Sequence, residues 1–200
     1  MLCERCRSSL RLLTGPQCVR CGAPTAWPVA RCSECSGRRL AFASARAAVA
    51  YDGGVAKLVA AWKERGLRRI AGLAAELVVD VVPPPRAHAL AFVPPDGDRS
   101  LKRGYHPAAR LARELGGRWG LEVLPLLVRS GTRRRQRGLP LAERRRNVRG
   151  VFRSISEAPA RVALVDDVYT SGATVGAAAS ALRKAGARRV EVVTFARAVR

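Results

Sequence analysis

A chain of 200 residues with 48% hydrophobic content can bury a real core, and it has no run of about 20 apolar residues that would cross a bilayer, so no membrane insertion is expected. A formal net charge of +22 disfavours basic partners and draws polyanions, either nucleic acid or phosphorylated metabolites. Only four of the 37 basic residues are lysine, and heavy Arg, Ala, Gly and Pro usage also follows from GC-rich coding, but 15 basic residues against three acids over residues 99–150 favour a functional origin.

The chain begins MLCERCRSSLRLL, without an apolar core or cleavage site of a signal peptide, so a cytoplasmic protein is expected. All six cysteines precede residue 36, as the CxxC pairs Cys3/Cys6, Cys18/Cys21 and Cys32/Cys35. In a cytosolic chain such pairs suggest zinc knuckles rather than disulfides. Cys18, Cys21, Cys32 and Cys35 can supply four thiolates to one structural Zn2+. Cys3 and Cys6 grouped with Cys18 and Cys21 is the rival set. Residues 1–43 are read as a cysteine-rich zinc-ribbon module and residues 44–200 as the second domain.

From residue 44 the composition changes. SARAAVAYD reads as a strand, and GGVAKLVAAWKERG as a helix with Val55, Leu58, Val59 and Trp62 on one face. LRRIAGLAAELVVDVV is a second helix, stopped by Pro83 to Pro85. AHALAFVPP is a strand, YHPAARLARELGGRWG a helix, and LEVLPLLV another strand. Residues 129–150 are basic and weakly patterned, with a short helix expected near LAERRRNV and a role in polyanion binding. RVALVDD is a strand, TVGAAASALRKAGA a helix and RRVEVVTFAR a final strand. Alternating strands and helices predict an α/β fold, a parallel sheet covered on both faces.

One place concentrates chemistry. The apolar run VALV ends in Asp166 and Asp167, followed by a turn of Thr170, Ser171, Gly172, Ala173 and Thr174 that opens a helix. In open parallel sheets ligands bind beyond the carboxyl ends of strands. A helix N-terminus offers unpaired amides to an anion. Gly172 permits close backbone approach. The turn therefore suits a phosphate, and the acids, which would repel one, suit a ribose cis-diol. Together they describe a ribose 5-phosphate. The stretch lacks GK[ST] and GxGxxG, so it is neither a Walker loop nor a dinucleotide fingerprint. A capped helix after two ordinary surface acids is the structural alternative.

Hydrophobic residues, DD, two residues and TSGAT resemble the phosphoribosyl pyrophosphate (PRPP) loop of type I phosphoribosyltransferases. VPP followed by LKRGYHPAARLA, and RQRGLPLAERRRNVRGVF, are similar to segments of the ComF competence family, as are the CxxC pairs ahead of the domain. The resemblance spans nearly the whole chain. It implies a type I phosphoribosyltransferase-like parallel sheet with an N-terminal zinc ribbon. It implies PRPP bound with Mg2+, and a link to natural transformation, where single-stranded DNA and competence-machinery proteins are the partners. Asp166 and Asp167 would be the catalytic pair on the ribose hydroxyls, Thr170 to Thr174 would hold the 5-phosphate, and Arg99, Lys102 and Arg103 would lie on the pyrophosphate side. Gln136, Arg144, Arg145 and Asn147 fall in a segment that could fold over the site. Whether transfer occurs, and to what acceptor, is left open by the resemblance.

Two departures stand out. Where the family reads GFNQA, this chain has Gly104, Tyr105, His106, Pro107 and Ala108. His106 is read as a surface histidine before Pro107, with a general base as the alternative. The family often carries four CxxC pairs, so either half of one site has been lost or the natural start lies upstream.

Overall fold

The computed structural model describes residues 3–64, 66–95, 106–129 and 151–199. A short helix α1 (Glu4–Ser8) precedes the sheet. The first strand is β1 (Ser44–Ala50), followed by α2 (Gly53–Glu64) and α3 (Arg69–Val81). Next come β2 (Ala89–Phe92), α4 (Pro107–Trp119) and the short strands β3 (Glu122–Val123) and β4 (Leu127–Arg129). The chain continues with β5 (Phe152–Ser154), β6 (Arg161–Tyr169), α5 (Ala173–Lys184) and β7 (Arg189–Arg197).

Five strands form a parallel sheet in the order β1-β7-β6-β2-β3. β6 and β7 lie at its centre and read as near-continuous apolar runs, as strands buried on both faces must. On one face α2, α3 and α4 pack through Val55, Trp62, Leu77, Val78, Leu111 and Leu115 onto Ala163, Val165, Val193 and Phe195. Trp62 meets Phe195 edge-on, with ring centroids 6.2 Å apart. On the other face the alanine-rich α5 lies over Val162, Leu164, Val190 and Val192.

The α/β parallel sheet flanked by helices agrees with expectation. The segment LEVLPLLV does not form one strand. It divides around Pro125 into β3, which joins the parallel sheet, and β4, which pairs antiparallel with β5. A proline has no N–H to give a ladder, so the run is broken where it stands.

The open edge of β1 is covered from the N-terminus. Leu13 N–H donates to Ala48 O (2.8 Å) and Ala50 N–H to Arg11 O (2.8 Å), which removes an edge open to pairing with other chains. Gly22 turns with φ of +71°, and a Cβ there would strike the Ala45 carbonyl. That close approach lets the Cys18–Cys21 turn sit on β1.

Candidate functional site

β6 carries the acids across the sheet. Its strand continues to Tyr169, so Asp166 and Asp167 lie inside its carboxyl-terminal part rather than at its tip. Successive side chains of a strand point to opposite faces, so the two carboxylates are presented differently. Asp167 is 8% exposed and forms an ion pair with Lys63 of α2 at 2.8 Å. Asp166 is half-buried, and its Oδ1 accepts from the Asp167 N–H at 2.9 Å. Burial, and then the Asp167 charge, push the Asp166 carboxyl up to about 8 against an ordinary 3.8, although Lys63 and Arg129 oppose the shift.

The turn after β6 opens α5. Gly172 is its N-cap, with φ of +72°. A Cβ at this position would lie 2.6 Å from Cζ of Tyr169, so both conformation and space require glycine. The Ala173 N–H reaches Ser171 Oγ at 3.4 Å. Asp166, Asp167 and the turn at Thr170, Ser171, Gly172, Ala173 and Thr174 therefore share one strand–turn–helix unit at the carboxyl end of the sheet. Arg99, Lys102, Arg103, Gln136, Arg144, Arg145 and Asn147, and the basic segment 130–150, lie outside the described residues.

Lys63 was not apparent as a site residue in the sequence, where its helix shows only an apolar face and a polar one. His106 also differs from its reading as a surface histidine. It is half-buried, packs edge-on against Phe92 with centroids 5.4 Å apart, and caps α4 by accepting the Ala109 N–H at Nδ1 (3.4 Å). Burial lowers it to about 4 despite the opposing pull of Asp167, so the ring is neutral at pH 7 and can accept at the helix cap.

The cysteines make a second centre. Sulfur atoms of Cys18, Cys21, Cys32 and Cys35 all lie within 4.8 Å of one another. Cys18 and Cys35 are 3.6 Å apart, Cys21 and Cys32 3.5 Å, Cys32 and Cys35 4.0 Å. A tetrahedron with metal–sulfur bonds of about 2.3 Å has edges of about 3.8 Å, so four thiolates here can hold a metal such as zinc. For Cys18, burial would raise the thiol, but backbone N–H groups of Cys21, Arg20 and Cys32 outweigh it and hold the group down to about 6. Burial drives Cys21 and Cys35 upward. Cys3 and Cys6 are exposed and stand outside the cluster, against the rival grouping.

The two centres are joined. Arg38, just beyond the cysteines, donates to the Ser171 carbonyl of the turn at 2.7 Å. Arg197, 1% exposed at the end of β7, donates to Cys21 O (2.6 Å), pairs with Glu34 (2.8 Å) and stacks 4.5 Å from the Tyr169 ring centroid. Tyr169 is the side chain against which Gly172 packs.

Competence protein F of Haemophilus influenzae is 29% identical over 211 aligned residues, covering 98% of this chain and 90% of that protein. The chain is similar to that competence protein over nearly its whole length. The similarity includes the cysteine cluster and the strand–turn–helix unit within its span. No protein-family model matches. The crystal structure of TT1426 from Thermus thermophilus aligns with a TM-score of 0.34 and 21% identity over 64% of this chain and 82% of that one, too distant a likeness to bear on the site. Among the described residues no helix is long and apolar enough to cross a membrane.

Proposed function

We propose that the chain binds PRPP with Mg2+ at the β6–α5 unit and serves in competence, as the name of its H. influenzae relative suggests. The observation that carries the reading is the pairing of two adjacent acids on a central strand with a Gly172-opened helix N-terminus directly after them. The turn amides and the hydroxyls of Thr170, Ser171 and Thr174 meet the 5-phosphate. Asp166 and Asp167 accept from the ribose hydroxyls. Mg2+ would be held chiefly by the pyrophosphate, because it prefers several hard oxygen ligands and Asp167 already holds Lys63. That ion would neutralise the pyrophosphate charge. Arg99, Lys102 and Arg103 would face the same group. Zn2+ is the metal proposed for Cys18, Cys21, Cys32 and Cys35. The proposed division is residues 1–43 for the metal module and 44–200 for the PRPP-binding domain.

If ribosyl transfer follows, Asp166 and Asp167 are the catalytic pair, since positive charge grows on the ribose ring as the pyrophosphate leaves. A second reading makes the PRPP site regulatory in a protein that handles single-stranded DNA, favoured by the net charge of +22.

Calorimetric titration with PRPP and Mg2+ tests the site. Asp167→Asn keeps the shape but replaces a charged acceptor, and a hydrogen bond to a charged group is worth about 1.5–3 kcal/mol. Affinity should fall roughly ten- to a hundred-fold. Equal binding by wild type and variant would remove the diol role, and no binding by either would leave the DNA reading first.

A further inference from the structure

β6 continues through α5 to β7, whereas β2 continues through α4 to β3, and β2 and β6 are themselves paired. Their connections thus leave in opposite directions, which opens a crevice beyond the carboxyl ends of the two strands. Its two sides differ. α5 packs on one face of the sheet, and α2, α3 and α4 pack on the other. In a furanose, C1 and C5 lie on opposite sides of the ring oxygen. A ribose with its 5-phosphate at the Gly172 turn, on the α5 side, therefore directs its C1 substituent toward the side of α2 and α4.

Lys63 stands on that second side. It lies in the last turn of α2, with Nζ 2.8 Å from Oδ1 of Asp167, and Asp167 follows Ala163 and Val165 along β6 onto the same face. The ion pair does not exhaust the lysine. An ammonium carries three N–H donors, and among the described residues Asp167 is the one ion-pair or hydrogen-bond partner of Lys63. The Lys63 side chain is 34% exposed and that of Asp167 12%, so the lysine is the accessible member of the pair. A compact charge on a flexible stem can turn its remaining donors to a second anion while keeping the first. The turn cannot serve a second phosphate, since the 5-phosphate occupies it, and the acids repel one.

We propose that Lys63 distinguishes PRPP from ribose 5-phosphate by bridging Asp167 and the pyrophosphate at C1. Its ammonium holds both the carboxylate that accepts from the sugar and the group that leaves, so one side chain fixes the spacing of diol and pyrophosphate. The inference rests on the PRPP reading of the β6–α5 unit and adds a residue of α2 to it. A lysine that served only to neutralise Asp167 would act alike on any ligand whose diol meets that acid, with or without a pyrophosphate.

The test titrates the full chain with PRPP and with ribose 5-phosphate, each with Mg2+ at fixed ionic strength. Lys63→Met removes the ammonium from a partly exposed helix position, and thermal unfolding checks that the variant folds. Its PRPP affinity should fall at least about tenfold, the loss of one charged hydrogen bond, while its ribose 5-phosphate affinity changes by less than about threefold. Lys63→Arg keeps a cation and should retain most of the preference for PRPP. Lys57→Met takes one charge from an exposed position of the same helix, six residues and roughly 9 Å earlier, and should bind both ligands as wild type does. Equal losses of both ligands in Lys63→Met, undiminished PRPP affinity in it, or a matching PRPP loss in Lys57→Met would overturn the proposal and leave the PRPP reading in place. Binding of neither ligand by wild type would overturn both.

Discussion

Asp166 is the residue whose setting most exceeds what its neighbours in sequence imply. Folding raises it from 3.8 to about 8. Between those values the folded protein keeps a proton that the unfolded chain has released, so stability falls as pH rises from about 4 to about 8 and is flat beyond. Asp166→Asn removes the ionisation while keeping an oxygen to accept from the Asp167 N–H. The variant should match wild type near pH 4 and be more stable at pH 8 by on the order of 1–3 kcal/mol, because partial exposure screens part of the burial cost. The neighbours should move the wild-type slope in opposite senses. Asp167→Asn removes a like charge and should bring the Asp166 midpoint down, whereas Lys63→Met removes a cation and should send it higher. Urea unfolding across this pH range reads all three, and parallel curves for wild type and Asp166→Asn would show that the carboxyl titrates normally.

At the level of elements, the strands and helices around the acids were legible because their patterns are local: VALV as a central strand, Gly172 before an alanine-rich helix, glycine after α4. The division of LEVLPLLV was less so, since pairing of β4 with β5 depends on partners 23 to 27 residues away, Leu127 with Ser154 among them. Lys63 beside Asp167 and Arg38 beside Ser171 were not legible at all, because each contact joins elements whose relative placement only the packed sheet determines. The Arg38 contact makes the cysteine-rich segment a support for the turn. Cys32→Ser should lose the metal, loosen Arg38, and release Arg197 from Cys21. One charged hydrogen bond to the turn is then lost, and PRPP affinity should fall roughly tenfold. Metal quantification beside PRPP titration checks this. Unchanged PRPP affinity in the metal-free variant would show that the turn stands without the module.

The whole molecule places opposite charges at opposite ends of one sheet. Asp166 and Arg161 lie on the same strand, five residues apart, or roughly 16 Å at about 3.3 Å per residue. That exceeds the Debye length of about 8 Å at physiological salt, so charges at one edge are largely screened from the other. The strands between them, β6 and β7, are paired along their length and packed on both faces, and a packed core transmits a signal only by moving between discrete arrangements. Coupling between sites requires that one ligand bind two states of the protein differently. We expect PRPP and a nucleic-acid strand to bind independently across this tightly packed sheet. Saturating PRPP and Mg2+ should change oligothymidylate affinity by less than about twofold, or under about 0.4 kcal/mol. Asp167→Asn should likewise leave that affinity the same or slightly higher, since one negative charge has gone. Paired titrations at fixed ionic strength measure both, with free Mg2+ matched in the control because the cation alone competes for phosphates. A larger change with PRPP, absent with Mg2+ alone, would mean that the ligand acts on strand binding through the Arg38 and Arg197 contacts that join the two centres.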